Sequence, residues 1–264
     1  MSDKTPWALI LGASSGFGGA TARALAKAGM NIIGVHFDMR STRHLADAVK
    51  ADVEAEGREA LFFNKNADED RHRAKMLDAI AERFSDGEHT IRVLMHSIAF
   101  GTLKPYFAEE EADRLSRKNF DMTLSVMANC LVYWAQDLVG RDMMHKGGRI
   151  YAMTSAGGHL VWPHYGAVSA AKAAIESHIR QLALELSPRG ISANSIQAGV
   201  TDTPALRKIP GSEAMLAKAT AANPSGRLTT PEEVARVISV LSHPDLDFMT
   251  GNLIRVDGGE DITS

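Results

Sequence analysis

Apolar and polar positions alternate in blocks along the whole chain. Short apolar runs at 7–11, 31–37, 60–63, 91–95, 148–153, 191–196 and 251–256 are separated by stretches of helical content at 20–28, 42–56, 74–84, 121–144 and 169–186. Runs this short and this continuously apolar suit strands buried on both faces. Their alternation with helices predicts a doubly wound α/β unit, a mostly parallel seven-stranded sheet covered by helices on both faces. All 264 residues read as one domain, without repeat, low-complexity tract or linker. Only 203–225 resists the pattern: Pro204, Pro210, Gly211 and Pro224 bracket a short helical patch at 213–222. An irregular segment near the carboxyl edge of such a sheet predicts a substrate-binding lid.

Composition narrows the partners. Lys and Arg total 29 against 32 Asp and Glu, and a net charge of −3 gives no electrostatic basis for nucleic-acid binding. The single cysteine, Cys130, lies among Val126, Met127, Leu131 and Val132, a setting for a buried apolar thiol rather than a reactive one. That usage fits a reducing cytoplasm. Residues 1–11 show no basic segment followed by an apolar run, and no stretch approaches the roughly 18–20 apolar residues that cross a bilayer. Neither secretion nor membrane insertion is expected.

Two local patterns carry chemistry. Gly12-Ala13-Ser14-Ser15-Gly16-Phe17-Gly18-Gly19 stands between the first strand and the first helix. Glycines there let the backbone approach a pyrophosphate that the following helix's amides can hold, although a plain tight turn would use them too. Dinucleotide contacts are expected from Gly12, Ser14, Ser15, Gly16, Phe17 and Gly18. The second pattern is Lys172 among Ala170, Ala171, Ala173, Ala174 and Ile175, a costly place for a cation unless it has a task or its stem reaches solvent. Tyr165 precedes it by seven residues, and the position four before it is Val168. On a helix, seven residues span about 10 Å against about 6 Å for four. If the helix starts near Tyr165, its hydroxyl stands about one turn further from the lysine than a Tyr-x3-Lys pair would place it; otherwise Tyr165 is an aromatic packed at a helix start.

Gly12-x3-Gly16-x-Gly18, Ser155 ten residues before Tyr165, Lys172 and the closing Val256-Asp257-Gly258-Gly259 resemble the short-chain dehydrogenase/reductase superfamily over nearly the whole chain. The fold this implies is a single Rossmann domain. The Tyr-x6-Lys spacing, with His96-Ser97-Ile98-Ala99-Phe100 where most relatives carry Asn-Asn-Ala-Gly, is similar to the enoyl-acyl carrier protein reductases. Residues 165–188, ending Leu184-Glu185-Leu186-Ser187-Pro188, resemble the type III enzymes among them. The resemblance implies reduction of trans-2-enoyl thioesters on acyl carrier protein, in fatty acid synthesis, by a homotetramer. Tyr165 would serve the enolate oxygen, and Lys172 the nicotinamide ribose. The chemistry agrees with the spacing. In a ketone the hydride lands on the carbon bearing the oxygen that the tyrosine protonates, whereas in an enoyl thioester it lands on Cβ while charge gathers on the more distant thioester oxygen.

Ser155 occupies the place of the ketoreductase serine, where the best-known enoyl reductases carry a second tyrosine. It could bond a substrate carbonyl or be a strand-end hydroxyl. Met127 takes the place of the asparagine that organises a relay water in ketoreductases, and Asn129 is two residues off. Two rivals stay open: a carbonyl or alcohol oxidoreductase acting on a 3-oxoacyl, sugar or steroid substrate, and a dinucleotide-binding regulator without turnover.

The resemblance also distributes the cofactor contacts. His36 stands where relatives carry an acid for the adenosine ribose, Asp38 follows, and Arg40, Ser41 and Arg43 offer a phosphate site. NADP(H) is favoured over NAD(H) on those arginines. Asn66 and Ala67 correspond to the adenine site, Ser97, Ile98 and Ala99 to the loop after the fourth strand, and Gly199, Thr201 and Thr203 to the carboxamide loop, here preceded by Ala198 instead of the frequent proline. Phe100, Leu103, Trp162, Leu206 and Ile209 are candidates for the acyl pocket or for the core. His159 and His164 show no spacing to carboxylates that suggests a metal. Met122, Met127, Met143 and Met144 read as core on one long helix. Arg114, Arg117 and Lys118 form either a docking surface for an acidic carrier or a solvated face.

Overall fold

The computed structural model describes residues 4–209 and 211–263, so Pro210 of the lid lies outside the described residues, as do residues 1–3 of the N-terminal stretch. Strands β1 (Thr5–Leu11), β2 (Asn31–His36), β3 (Ala60–Asn64), β4 (His89–His96), β5 (Arg149–Ser155), β6 (Ser192–Ala198) and β7 (Leu253–Val256) make one sheet. Its order is β3-β2-β1-β4-β5-β6-β7, with every neighbouring pair parallel. The central strands are apolar because both faces are covered. Trp7 through Leu11 are all fully buried, alternating between two cores. One core lies under α1 (Gly16–Lys27), α2 (Arg43–Ala55) and α8 (Pro231–Leu241); the other lies under α3 (Asp70–Arg83), α5 (Cys130–Gly140) and α6 (Gly166–Leu186). Among the described residues no helix is long and apolar enough to cross a membrane.

Three elements differ from the sequence expectation. The helix expected over 121–144 is α4 (Arg117–Leu124), a π-helical segment Ser125–Asn129, and α5, which ends at Gly140. Buried His96 at the end of β4 donates from Nε2 to the Val126 carbonyl at 3.0 Å, inside that π-segment, a tie 30 residues away in sequence. Met143 and Met144 lie beyond the helix, buried in the turn where the Met143 carbonyl accepts from Ile91 N at 2.8 Å. Strand β6 is not a continuous apolar run. Asn194, buried within it, donates to Met249 O at 2.7 Å and accepts from Asn252 N at 3.1 Å, which ties β6 to the approach to β7. Finally, α8 has no counterpart in the sequence expectation. Thr230 and Glu233 form a capping box at its start, and Val234 and Ile238 bury one face against α1.

The region 203–225 carries a 3-10 turn, Leu206–Lys208, and helix α7 (Ser212–Ala222).

Candidate active site

Strand order reverses beside β1 and β4, where the crevice at the carboxyl ends of a doubly wound sheet takes its ligand. The glycine turn stands there. A Cβ on Gly18 would lie 2.0 Å from Gly12 O, and one on Gly12, whose φ is +91°, would lie 2.6 Å from Ser97 O. Only glycine lets the turn pack this closely against its own helix and against the β4 loop. Ser15 is the N-cap of α1, yet its side chain makes no capping bond, so its hydroxyl and the first amides of α1 are available to a phosphate. These features fit a dinucleotide pyrophosphate.

Tyr165 is itself the N-cap of α6, and its carbonyl accepts from Ser169 N at 2.8 Å. The helix begins one residue later, so the seven residues to Lys172 do run along one helix. Val168, one turn before Lys172, is buried and apolar. The Tyr165 ring packs edge-on to Trp162 with centroids 5.5 Å apart, and Gly157 leaves it room, since a Cβ there would fall 2.5 Å from the ring. The Ser155 hydroxyl hydrogen-bonds to the Tyr165 oxygen. Burial holds the Tyr165 phenol above its usual range, and the bond from Ser155 works against that rise. Ser155 also accepts from Gly157 N at 3.3 Å, so it serves both as strand-end cap and as the tyrosine's partner.

Lys172 does not reach solvent. It is 7% exposed, its Nζ donates to Met153 O at 2.8 Å, and burial lowers its pKa to about 8, with Glu176 opposing the drop. Glu176 in turn accepts from Thr154 Oγ1 at 2.6 Å. Burial, and then the charge of Lys172, lowers the pKa of His96 to about 4, so that histidine is a neutral donor to the π-segment.

Tyr165, Ser155 and Lys172 open onto one cavity of about 290 Å³. All five candidate acyl-pocket residues, Phe100, Leu103, Trp162, Leu206 and Ile209, line it, as do Phe17, Ser97, Ile98, Ala99, Gly199, Thr201 and Thr203 among the cofactor candidates. Met127, which takes the place of the relay asparagine and also reads as core, is buried and lines the cavity. Met215 lines it from the helical patch of the expected lid, and Glu260 lines it without any sequence signal having pointed to it.

The adenosine candidates sit apart from this cavity, around the end of β2. His36 is buried, and its Nδ1 lies 2.9 Å from Asp38 Oδ2. Asn64 fixes the Asp38 backbone in both directions, accepting from its N at 2.9 Å and donating to its O at 3.0 Å. Arg40 and Arg43 are exposed, with no ion pair among the described residues. Asn66 turns the chain by accepting from Asp68 N at 3.0 Å, and the carbonyl of buried Ala67 takes the Trp134 indole N–H at 2.9 Å.

Other candidates are accounted for by structure. The Cys130 thiol is buried and pushed up to about 12 by burial. His159 meets a carboxylate that its sequence neighbourhood does not contain, Asp261 at 2.9 Å, which Arg255 shares at 2.9 Å. Arg114 pairs with Glu111 at 2.9 Å and Arg117 with Asp121 at 3.6 Å, so acids on the same segment offset the basic cluster.

The family described as enoyl-(acyl carrier protein) reductase matches residues 12–260. A 1-cyclohexenylcarbonyl-CoA reductase of Streptomyces collinus is 28% identical over 100% of this chain and 89% of its own. A 3-oxoacyl-[acyl-carrier-protein] reductase of Synechocystis sp. is 32% identical over 96% of this chain and 95% of its own. Among solved structures, the NADH-dependent enoyl-[acyl-carrier-protein] reductase of Aquifex aeolicus VF5 superposes with a TM-score of 0.82 at 22% identity, covering 99% of both chains, and shares the fold.

Proposed function

The chain belongs to the short-chain dehydrogenase/reductase superfamily, within the family described as enoyl-(acyl carrier protein) reductase, and from that premise we propose that it reduces the 2,3 double bond of trans-2-enoyl thioesters. An oxidoreductase using a nicotinamide dinucleotide is the property of the superfamily; the double bond as target is our proposal. One observation carries it: the hydroxyl donor lies two helical turns from Lys172 in the same cavity, while the position one turn away is the apolar Val168.

When bound, the dinucleotide supplies a hydride, two electrons and one hydrogen, to Cβ. The residues manage the charge this creates. As the double-bond electrons move towards the thioester, Tyr165 donates a hydrogen bond to the oxygen that becomes an enolate, and the Lys172 ammonium adds a favourable field. A proton drawn from solvent, directly or by way of the Tyr165 hydroxyl, ends on Cα, which balances the saturated product. Gly12, Ser15 and the first turn of α1 would hold the pyrophosphate, Thr201 and Thr203 the nicotinamide end, and Lys172 the ribose. The acyl group would lie among Phe100, Leu103, Trp162, Leu206 and Ile209. NADP(H) is the favoured cofactor because Asp38 is engaged by His36, while Arg40 and Arg43 are free to take a 2′-phosphate. The carrier is acyl carrier protein or coenzyme A, the latter being the thioester in the name of the Streptomyces relative. Self-association into a tetramer belongs to the same proposal and is supported by Tyr133 and Leu184, left exposed on α5 and α6.

A second function has its own observation. The bond from Ser155 to Tyr165 is the pairing that a 3-oxoacyl or other carbonyl reductase would use. Steady-state oxidation of NADPH and NADH with crotonyl and acetoacetyl thioesters separates the two. Crotonyl turnover with a kcat/KM at least about tenfold higher for NADPH than for NADH is expected. Turnover of the acetoacetyl thioester alone would replace the proposal by the carbonyl reductase.

A further inference from the structure

Glu260 lies in the C-terminal turn, 6% exposed, a carboxylate withdrawn from water at the rim of the cavity. It is bound from two directions. Both of its oxygens accept from Val200 N at 3.1 Å, and the Asn223 side chain hydrogen-bonds to it. Val200 leads from β6 into the loop carrying Thr201 and Thr203, and Asn223 is the residue that closes α7. One side chain therefore holds the start and the finish of the 203–225 segment.

The surroundings reinforce both ends. At the first, Thr203 caps the turn that follows by accepting from Leu206 N at 3.2 Å, and its methyl lies 3.6 Å from where a Cβ of Gly16 would be. The loop thus rests on the glycine turn. At the second, Asn223 also donates to Asp257 O at 2.8 Å, and Thr263 Oγ1 donates to Ala222 O at 2.7 Å.

We propose that Glu260 is a positioning residue, a clasp that fixes both ends of the lid and so sets Thr201 and Thr203 against the dinucleotide. The clasp rests on 203–225 acting as a lid over a dinucleotide site; it does not depend on which substrate is reduced. Burial, with Asp257 and Asp261 nearby, holds the Glu260 carboxyl above its usual range, against the bonds from Val200 and Asn223. A buried acid in that setting costs stability, as expected of a group retained for a task.

The test is tryptic nicking at Arg207 and Lys218, both exposed on the segment, with and without NADP⁺, alongside steady-state kinetics. Glu260→Ala is expected to speed nicking at both sites about tenfold and to raise the KM for NADPH about tenfold, with kcat within about threefold of the parent. Glu260→Gln keeps an oxygen for Val200 N–H but turns an amide donor towards Asn223. It should recover most of the KM while nicking at Lys218 stays fast. Asn223→Ala should speed nicking at Lys218 more than at Arg207. A folded Glu260→Ala protein with parental nicking and KM would overturn the clasp, as would a fall in kcat at unchanged KM. Should Glu260→Ala fail to fold, parental behaviour of both other variants overturns it equally. Nicking is read without any thioester, so failure of enoyl reduction would leave that result standing.

Discussion

Lys172→Met is expected to give a protein more stable than the parent and at least about 10³-fold poorer in kcat/KM. The two effects have one cause. The folded lysine titrates at about 8 against 10.5 for the free side chain, because it is buried. That displacement amounts to about 3 kcal/mol against the charged form. Removing the ammonium leaves Met153 O without its donor, a loss of about 1 kcal/mol, so a net gain of about 2 kcal/mol remains at neutral pH. The unfolded chain keeps its proton up to about 10.5 and the folded one only to about 8, so the penalty is full below pH 8 and fades between 8 and 10.5. Parent stability should rise across that window relative to the variant. Denaturant melts at pH 7 and pH 10.5 check it, and a variant less stable than the parent at pH 7 would show that the charge is not a burden to the fold.

Tyr165→Phe should lower kcat on an enoyl thioester by about 10²- to 10³-fold, with the cofactor KM nearly unchanged and stability lower by about 1 kcal/mol for the lost bond to Ser155. The ring would remain between Trp162 and Gly157, because nothing in that packing uses the hydroxyl. Ser155→Ala is the informative companion. If Tyr165 alone meets the enolate oxygen, losing its Ser155 partner costs less than about tenfold. If the two share a ketone oxygen, the cost approaches that of losing the tyrosine.

The alternation of strands and helices was legible because the central strands β1, β2 and β4 bury both faces and are correspondingly apolar. The glycine turn was legible because contacts of 2.0 and 2.6 Å admit no side chain. The Tyr165 to Lys172 geometry needed only the start of α6, which lies at Gly166. What stayed hidden depends on partners distant in sequence. The π-segment is tied to His96 from another strand, and the buried amides of β6 are satisfied by the approach to β7. Glu260 finds its partners at Val200 and Asn223. Helix α8 is a different case, since Thr230-Pro231-Glu232-Glu233 announces a helix start and Val234 and Ile238 continue its face.

The most direct measurement is a competition between equimolar crotonyl and acetoacetyl thioesters for NADPH carrying deuterium at the transferred position. Deuterium is expected at C3 of the butyryl thioester, with the acetoacetyl thioester left largely unconsumed. Deuterium at C3 of 3-hydroxybutyryl, with crotonyl untouched, would contradict enoyl reduction and assign the site to a carbonyl.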